Sequence, residues 1–173
     1  MNRPKPGGVP YGQLIKTCKD PGMGAPTFDD GPFQCTRRFL GTLKGNGNQG
    51  LKNALKRIMA DGHQIGSHSF SHKPLSSLSQ KDKVSEMVKL ENALHGTTGK
   101  KPTYMRPPNF DCNDKCMKLM GKMGYHVIDE DLDTHDWKNM SNMQVSKGIV
   151  KKGVGGADSM KTTSFHHRWR VPW

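Results

Sequence analysis

Short apolar stretches alternate with helical patterns along this chain, and polar clusters follow the apolar stretches. The predicted strands are Ala25–Asp30, His63–Ile65, Thr103–Arg106 and Tyr125–Ile128. Helical spacing of apolar residues falls between and around them, at Gln34–Lys44, Leu51–Asp61, Gln80–His95, Asp114–Met123 and Met143–Val150. This alternation favours an α/β fold with parallel strands. In folds of this class, functional residues lie at the carboxyl ends of the parallel strands, so the polar clusters that follow the strands form the candidate site.

Local signals set the expected ends of these elements. Ser79 is a good N-cap for Gln80–His95, and Gly96 is expected to close that helix. Gly124 is expected to cap the helix that starts at Asp114. Pro26 lies within the first predicted strand, where a proline removes a hydrogen-bond donor.

The length predicts one domain with a thin core, because only 32% of the 173 residues are hydrophobic. Residues 1–12 are rich in Pro and Gly and are expected to form an irregular lead-in to a domain over residues 13–173. No apolar run is long enough to span a membrane. The N-terminus is basic without an apolar segment after it, so we expect no signal peptide in this sequence.

The chain is strongly basic, with 27 Lys and Arg against 15 Asp and Glu and a net charge of +12. Such a surplus is typical of proteins that meet nucleic acid or an anionic surface such as a cell wall. The positive residues are scattered, however, and are not interleaved with aromatic residues. No nucleic-acid-binding motif is present, so we expect a solvated basic surface and no nucleic-acid partner.

The four cysteines leave two interpretations open. Cys112 and Cys116 are four residues apart, which allows a local disulfide or two thiols on one helix face. Cys18 and Cys35 complete the set, but the spacing of the four does not match a structural zinc site. Asn139-Met140-Ser141 is an N-glycosylation acceptor, which fits a secreted protein.

Two adjacent carboxylates, Asp29 and Asp30, stand at the end of the first predicted strand. Side chains alternate along a straight strand, so both cannot face the same way until the backbone turns. Gly31 and Pro32 follow directly and allow that turn. One carboxylate could then bind a metal while the other serves as a base, although an ordinary acidic turn is the better explanation of this stretch taken alone.

His68 and His72 have the four-residue spacing that lets two imidazoles reach one metal ion. Taken alone, the pair is as readily two surface histidines. With Asp30 it makes a three-ligand site with an open fourth position, which is typical of a catalytic metal rather than a structural one.

Two further clusters follow later strands. In Arg106-Pro107-Pro108 the prolines could hold a guanidinium near Asp29, which would favour the ionised carboxylate. Asp131–Trp137 adds three carboxylates and an indole that could stack on a sugar ring. An ordinary surface arginine and a core tryptophan are the plain alternatives.

Together these motifs resemble the polysaccharide deacetylases, the NodB-homology family of carbohydrate esterases. Thr27–Pro32, Ser67–His72, Arg106–Pro108 and Asp133–Trp137 occur in the family's order and spacing, and the surrounding residues are most similar to the fungal chitin deacetylases. The resemblance covers residues 9–158. It implies a deformed, incomplete β/α barrel and hydrolysis of N-acetyl groups from chitin. It also implies one divalent metal, Zn²⁺ or Co²⁺, and a monomer that is secreted or lies in the cell wall.

The resemblance also implies a role for each motif residue. Asp30, His68 and His72 would hold the metal, and Asp29 would be the base. Arg106 would orient Asp29, and Asp136 would tune the catalytic acid, which would be His167. Pro108, Asn109 and Trp137 would shape the substrate groove, and the backbone N–H of Asn109 would stabilise the oxyanion.

Four departures from the family pattern qualify these expectations. Gly45-Asn46-Gly47-Asn48 stands where the family has a second strand, and Asn109 replaces the usual Tyr. Pro26 replaces an apolar residue, and the sequence after His167 does not resemble the family's C-terminal end. A xylan or peptidoglycan deacetylase and an inactive carbohydrate-binding relative are therefore the alternative functions.

Overall fold

The computed structural model of the chain describes residues 9–17, 25–31, 51–135, 144, 147–149 and 162–165. The chain divides into two compact units. The first unit comprises Met1–Ile15 and Leu55–Ile128, and the second comprises Lys16–Ala54 and Asp129–Trp173. Each unit contains a three-stranded parallel sheet.

The sheet of the first unit has the order β1-β4-β3, with β1 at Leu14–Ile15, β3 at Tyr104–Met105 and β4 at His126–Ile128. Both pairings are parallel, which confirms the α/β expectation for this unit. The central strand β4 is the most buried, as expected for a parallel sheet covered by helices, and the side chain of Val127 is fully buried.

Three helices belong to the regions that the apolar spacing predicted: α1 at Leu51–Ala60, α2 at Gln80–Thr98 and α3 at Asp114–Lys122. Ser79 caps α2 as expected, since its hydroxyl accepts the backbone N–H of Asp82. Asn113 caps α3 in the same way through Cys116 N–H. Short 3₁₀ turns lie at Leu75–Ser77 and Pro108–Phe110.

The core of the first unit lies where α2, α3 and the sheet meet. Its fully buried members are Leu75, Met87, Met105, Cys116, Met120, Tyr125 and Val127. Cys112 packs against this core and forms a disulfide with Cys116. The structure therefore decides between the two interpretations of these cysteines in favour of the local cross-link.

Two local expectations are wrong. His63–Ile65 is not a strand; instead Ser67 forms a single parallel bridge with Met105. Helix α2 also continues through Gly96 and ends at Gly99, which has a φ of +71°. A glycine inside a helix costs only about 1 kcal/mol, so Gly96 is tolerated within α2. Gly99 instead occupies the left-handed position that caps the helix.

The sheet of the second unit has the order β2-β6-β5, with β2 at Ala25–Phe28, β5 at Leu132–Asp133 and β6 at Thr162–Phe165. Among the described strands, β2 pairs only with β6. Pro26 lies opposite Thr163 in this register and itself contributes no N–H donor. Lys16 pairs with Asp129 at 3.0 Å, and the hydrogen bond to Asp129 raises the pKa of Lys16.

Several expectations lie partly or wholly outside the described residues. These are the Gln34–Lys44 helix, most of the Met143–Val150 helix, the missing second strand near residue 45, the altered C-terminal end, and Cys18 and Cys35. Within the described part of the chain, no helix has the length and apolar character needed to cross a bilayer.

Candidate functional site

The parallel bridge at Ser67 places His68 beside the end of strand β3. Ser67 N–H donates to the Tyr104 carbonyl at 2.8 Å, and Arg106 N–H donates to the Ser67 carbonyl at 2.9 Å. The chain at Ser67 thus runs alongside β3 and leaves the sheet at the same edge. His68 and Arg106 therefore meet at the carboxyl end of the sheet of the first unit, as predicted.

The backbone of Arg106 fixes the ring of His68. The Nδ1 atom of His68 lies 2.8 Å from the Arg106 carbonyl oxygen. Because a carbonyl oxygen can only accept, this contact requires the proton on Nδ1 and leaves the lone pair on Nε2. Metal-binding histidines are oriented in this manner, with the second ring nitrogen bonded to a carbonyl or a carboxylate.

His72 lies next to His68, with a distance of 4.9 Å between the ring centroids and an edge-on arrangement. We call residues 68–72 the histidine turn. Ser69 and His72 both have left-handed backbone, with φ of +60° and +57°. The buried hydroxyl of Ser69 accepts the N–H of His72 at 3.1 Å, which helps to close the turn.

Glu86 of helix α2 binds the middle of the histidine turn. Its Oε2 atom accepts the backbone N–H groups of Phe70 at 3.1 Å and Ser71 at 2.7 Å. Its Oε1 atom accepts the Ser71 hydroxyl at 2.9 Å. Burial alone would raise the pKa of Glu86, but the Ser71 and Phe70 hydrogen bonds and the charge of Lys73 lower it below its ordinary value.

A second turn follows β3, at residues 109–113, and we call it the asparagine turn. Asn109 and Phe110 both have left-handed backbone, with φ of +54° and +55°. Asn tolerates this conformation better than most residues, which gives a structural reason for Asn109. The preceding Pro108 is buried, as is Arg106, which is 4% exposed.

The asparagine turn is held by polar contacts and by the disulfide. The carboxylate of Asp111 accepts Ser76 N–H at 3.2 Å, and Asn113 N–H donates to the Ser76 hydroxyl at 2.9 Å. Cys112, within the turn, is bonded to Cys116 of α3. The backbone that follows Asn109 is thus anchored to the 3₁₀ turn at Leu75–Ser77 and to α3.

Asp29 and Asp30 lie in the second unit, directly after strand β2. The strand ends at Phe28, and Asp30 has left-handed backbone with a φ of +55°. The chain therefore turns at this pair, as its sequence predicted. Asp29 is half-buried, whereas Asp30 is exposed.

Within the Asp133–Trp137 motif, the second unit also carries a contact that the sequence did not predict. At the end of β5, Asp133 accepts the N–H of His135 at 2.8 Å, and its other oxygen lies 2.9 Å from the His135 ring. Asp136, Trp137 and His167, which we expected in catalysis and substrate binding, lie outside the described residues.

The histidine turn fits a divalent transition metal. Its two imidazoles are adjacent, and the lone pair of His68 Nε2 is available by the choice of tautomer. Imidazole ligands suit Zn²⁺ and Co²⁺. A carboxylate as third ligand would leave a coordination position for water, which is the arrangement of catalytic zinc sites.

Sequence reasoning missed Glu86 as part of this site. The structure shows that three charged residues of α2, Lys83, Glu86 and Glu91, are buried. A buried charge is rare unless it is paired or hydrogen-bonded. Three such charges on a core-facing helix therefore indicated specific partners.

Proteins of known family are similar in sequence to most of this chain. Residues 16–128 match the polysaccharide deacetylase family. A chitin deacetylase of Pestalotiopsis is 41% identical over 76% of this chain and 49% of its own length. A probable peptidoglycan-N-acetylglucosamine deacetylase of Arthroderma benhamiae is 33% identical over 94% of this chain and 41% of its own length. The chain thus spans about half the length of these relatives or less.

The solved structure of the chitin deacetylase from Colletotrichum lindemuthianum is similar to this structure, with a TM-score of 0.83 and 33% identity. The match covers 91% of this chain and 79% of that protein. The α/β fold class expected from the sequence is confirmed. With the family match over residues 16–128, this shows that the chain belongs to the polysaccharide deacetylases.

Proposed function

We propose that this protein is a metal-dependent hydrolase that removes N-acetyl groups from chitin and releases acetate. The histidine turn carries this proposal, because it presents two adjacent imidazoles with one tautomer fixed by the Arg106 carbonyl. The relatives named chitin deacetylases support the choice of polymer. The peptidoglycan relative supports N-acetylglucosamine in another polymer as the second candidate substrate.

Asp30 is the proposed third ligand beside His68 and His72. A bound divalent ion, most simply Zn²⁺ or Co²⁺, would supply Lewis acidity and lower the pKa of a water molecule. Support for Asp30 comes from the family motif Thr27–Pro32 and from the turn in the backbone that follows β2.

The remaining roles are assigned to this chain's own groups. Asp29 takes the proton of the attacking water. Its side chain is half-buried, which suits a base that must be shielded from bulk solvent. Arg106 orients Asp29, and the N–H of Asn109 donates to the oxygen of the acetamide as negative charge develops there.

The C–N bond then breaks, and the leaving nitrogen takes a proton from His167, whose acidity Asp136 tunes. The products are acetate and a free amine on the sugar. Pro108, Asn109 and Trp137 are the proposed lining of the sugar groove.

We further propose that residues 13–173 form the deacetylase domain, that the protein acts as a monomer, and that it works in the extracellular space or cell wall. The Cys112–Cys116 disulfide supports an oxidising compartment. The excess of positive charge suits an anionic cell wall.

Acetate release from N-acetylglucosamine oligomers, with added Zn²⁺ and with a chelator, tests the proposed function. We expect release only with metal. Asp29→Asn should keep the metal but lose release by at least about 100-fold, because the base contributes that much or more. Asp114→Asn, an exposed carboxylate at the start of α3, is the matched control and should release acetate normally.

Two results would contradict this function. Release that persists in chelator would remove the metal from the reaction, and turnover retained in Asp29→Asn would remove Asp29 as the base. Acetate release measured in the same way from acetylated peptidoglycan fragments and from acetylated xylan decides between the polymers.

A further inference from the structure

Helix α2 supports the histidine turn through a single carboxylate. Glu86 lies 15 residues from Ser71 in sequence, yet it accepts three hydrogen bonds from Phe70 and Ser71. These two residues are the ones between Ser69 and His72, so the bonds fall within the turn that carries both histidines. We propose that Glu86 is the positioning residue that sets the spacing of His68 and His72 for metal binding.

The contact suits an ionised acid. The groups that face Glu86 are two backbone N–H groups and one hydroxyl, all acting as donors. An ionised carboxylate is acceptor-only and satisfies all three, whereas an amide of the same shape is neutral and can do so only if its oxygen faces the two N–H groups and the Ser71 hydroxyl turns to accept from its NH₂ group. Charge-assisted hydrogen bonds of this kind are about twice as strong as neutral ones.

The turn needs such support because its backbone is unfavourable. Ser69 and His72 have φ of +60° and +57°, a conformation that residues with a side chain rarely adopt. Left-handed backbone is unfavourable for a residue with a side chain, and it persists only when the surroundings hold it. Glu86 binds the two residues between these positions, and the Ser69 hydroxyl binds His72 N–H.

A second contact from the same helix reaches the turn. Lys89 Nζ lies 5.8 Å from the centre of the exposed Phe70 ring. Lys89 is three residues after Glu86, so both side chains extend from one face of α2. Two side chains of this face therefore contact the histidine turn, whereas Met87 and Leu94 lie on the buried side of the helix.

Glu91 of the same helix shows what a purely structural carboxylate looks like here. It is 1% exposed, accepts the Tyr125 hydroxyl at 2.6 Å and pairs with Lys101 at 3.5 Å. Tyr125 precedes β4 and Lys101 follows α2, so these two partners lie outside the histidine turn. Glu91→Gln is therefore the matched control for Glu86→Gln.

The inference rests on the proposed metal site, and metal affinity is its first test. Competition with a chromophoric chelator would give the Zn²⁺ and Co²⁺ affinities of wild type, Glu86→Gln, Glu91→Gln and His68→Ala, each checked for folding by circular dichroism. We expect about 10- to 100-fold weaker binding in Glu86→Gln with unchanged stoichiometry. We expect loss of binding in His68→Ala and wild-type affinity in folded Glu91→Gln.

Amide hydrogen exchange without metal is the second test and does not depend on the proposed function. The N–H groups of Phe70 and Ser71 should exchange faster in Glu86→Gln and normally in Glu91→Gln. If Glu86→Gln does not fold, Glu86→Asp takes its place, since it keeps the charge but is too short to reach all three donors.

The outcomes separate the two proposals. The metal site is overturned if wild type does not bind metal or if His68→Ala binds it normally. In either case the exchange measurement still tests whether Glu86 holds the turn. Wild-type affinity and wild-type exchange in Glu86→Gln overturn the positioning role. An equal loss of affinity in Glu86→Gln and Glu91→Gln also overturns it, because the effect would then be a general loss of stability.

Discussion

The histidine turn and the asparagine turn solve the same structural problem in different ways. Both lie in the first unit, and both follow a segment at the carboxyl edge of its sheet. Each contains two residues with left-handed backbone and a side chain. The histidine turn is held by the ionised Glu86, whereas the asparagine turn is held by the Cys112–Cys116 disulfide and by contacts to Ser76.

The difference suits what each turn has to present. The histidine turn must hold two side chains at a fixed separation. Glu86 binds only the backbone and the Ser71 hydroxyl of this turn, so both imidazoles remain available to bind a metal. The asparagine turn presents only a backbone N–H in the proposed mechanism. A covalent cross-link beside the turn is enough to fix a backbone, and it does not depend on protonation.

Cys112→Ala should have the largest effect on stability. A cross-link that closes a short loop contributes about 2 kcal/mol by restricting the unfolded chain. The free energy of unfolding of the variant should therefore fall by that amount, and its urea midpoint should fall with it. Alanine keeps the partly buried site apolar, and the Cys116 thiol stays in the core. Urea unfolding followed by circular dichroism measures the change.

Metal affinity provides the control for this variant. If the two turns are held independently, folded Cys112→Ala should bind Zn²⁺ as tightly as wild type. A loss of affinity as large as that of Glu86→Gln would show that the disulfide also supports the histidine turn, and the comparison would break.

Asn109→Ala should have a smaller effect, because it changes only the cost of the left-handed backbone. Asn tolerates a φ of +54° better than alanine, so we expect a loss of about 1 kcal/mol in unfolding free energy. Asn109→Gly is the matched control and should be near wild type, since glycine adopts this conformation readily. Equal stabilities of the two variants would show that the Asn109 side chain, rather than its backbone, is what matters.

The sequence predicted helices α1, α2 and α3 and strands β2, β3 and β4, because each of them has a local signal. Helices α1, α2 and α3 follow from apolar spacing, and the Ser79 cap follows from its own side chain. The histidine pair and its position near Arg106 followed from motifs that lie at strand ends. These features need only residues that are close together in the sequence.

The features that the sequence missed depend on distant backbone. The bridge forms at Ser67 rather than within His63–Ile65, because the register with Met105 is set by the fold and not by local alternation. The partners of Glu86 are main-chain N–H groups on another segment, and such groups carry no residue signature. A charged residue on a helix is usually solvent-facing, so the sequence favoured that interpretation of Glu86.

The pH dependence of stability should give the smallest effect and the sharpest contrast between the turns. Because the folded pKa of Glu86 is lowered, the unfolded state binds its proton more readily, and acid favours unfolding. The contribution of the charged carboxylate is complete above the unfolded pKa of about 4.3. It is lost as the pH falls through the folded value. Burial opposes the hydrogen bonds, which keeps the net effect small.

Urea unfolding of wild type and Glu86→Gln at a series of pH values measures this contribution. The difference between them should be constant near neutral pH and should shrink below about pH 4, because Gln does not titrate. The difference between wild type and Cys112→Ala should stay the same over that range, since a disulfide has no proton to gain. If the Glu86 difference did not change in acid, the carboxylate would not be held as an ion, and the two turns would not differ in the way that their contacts indicate.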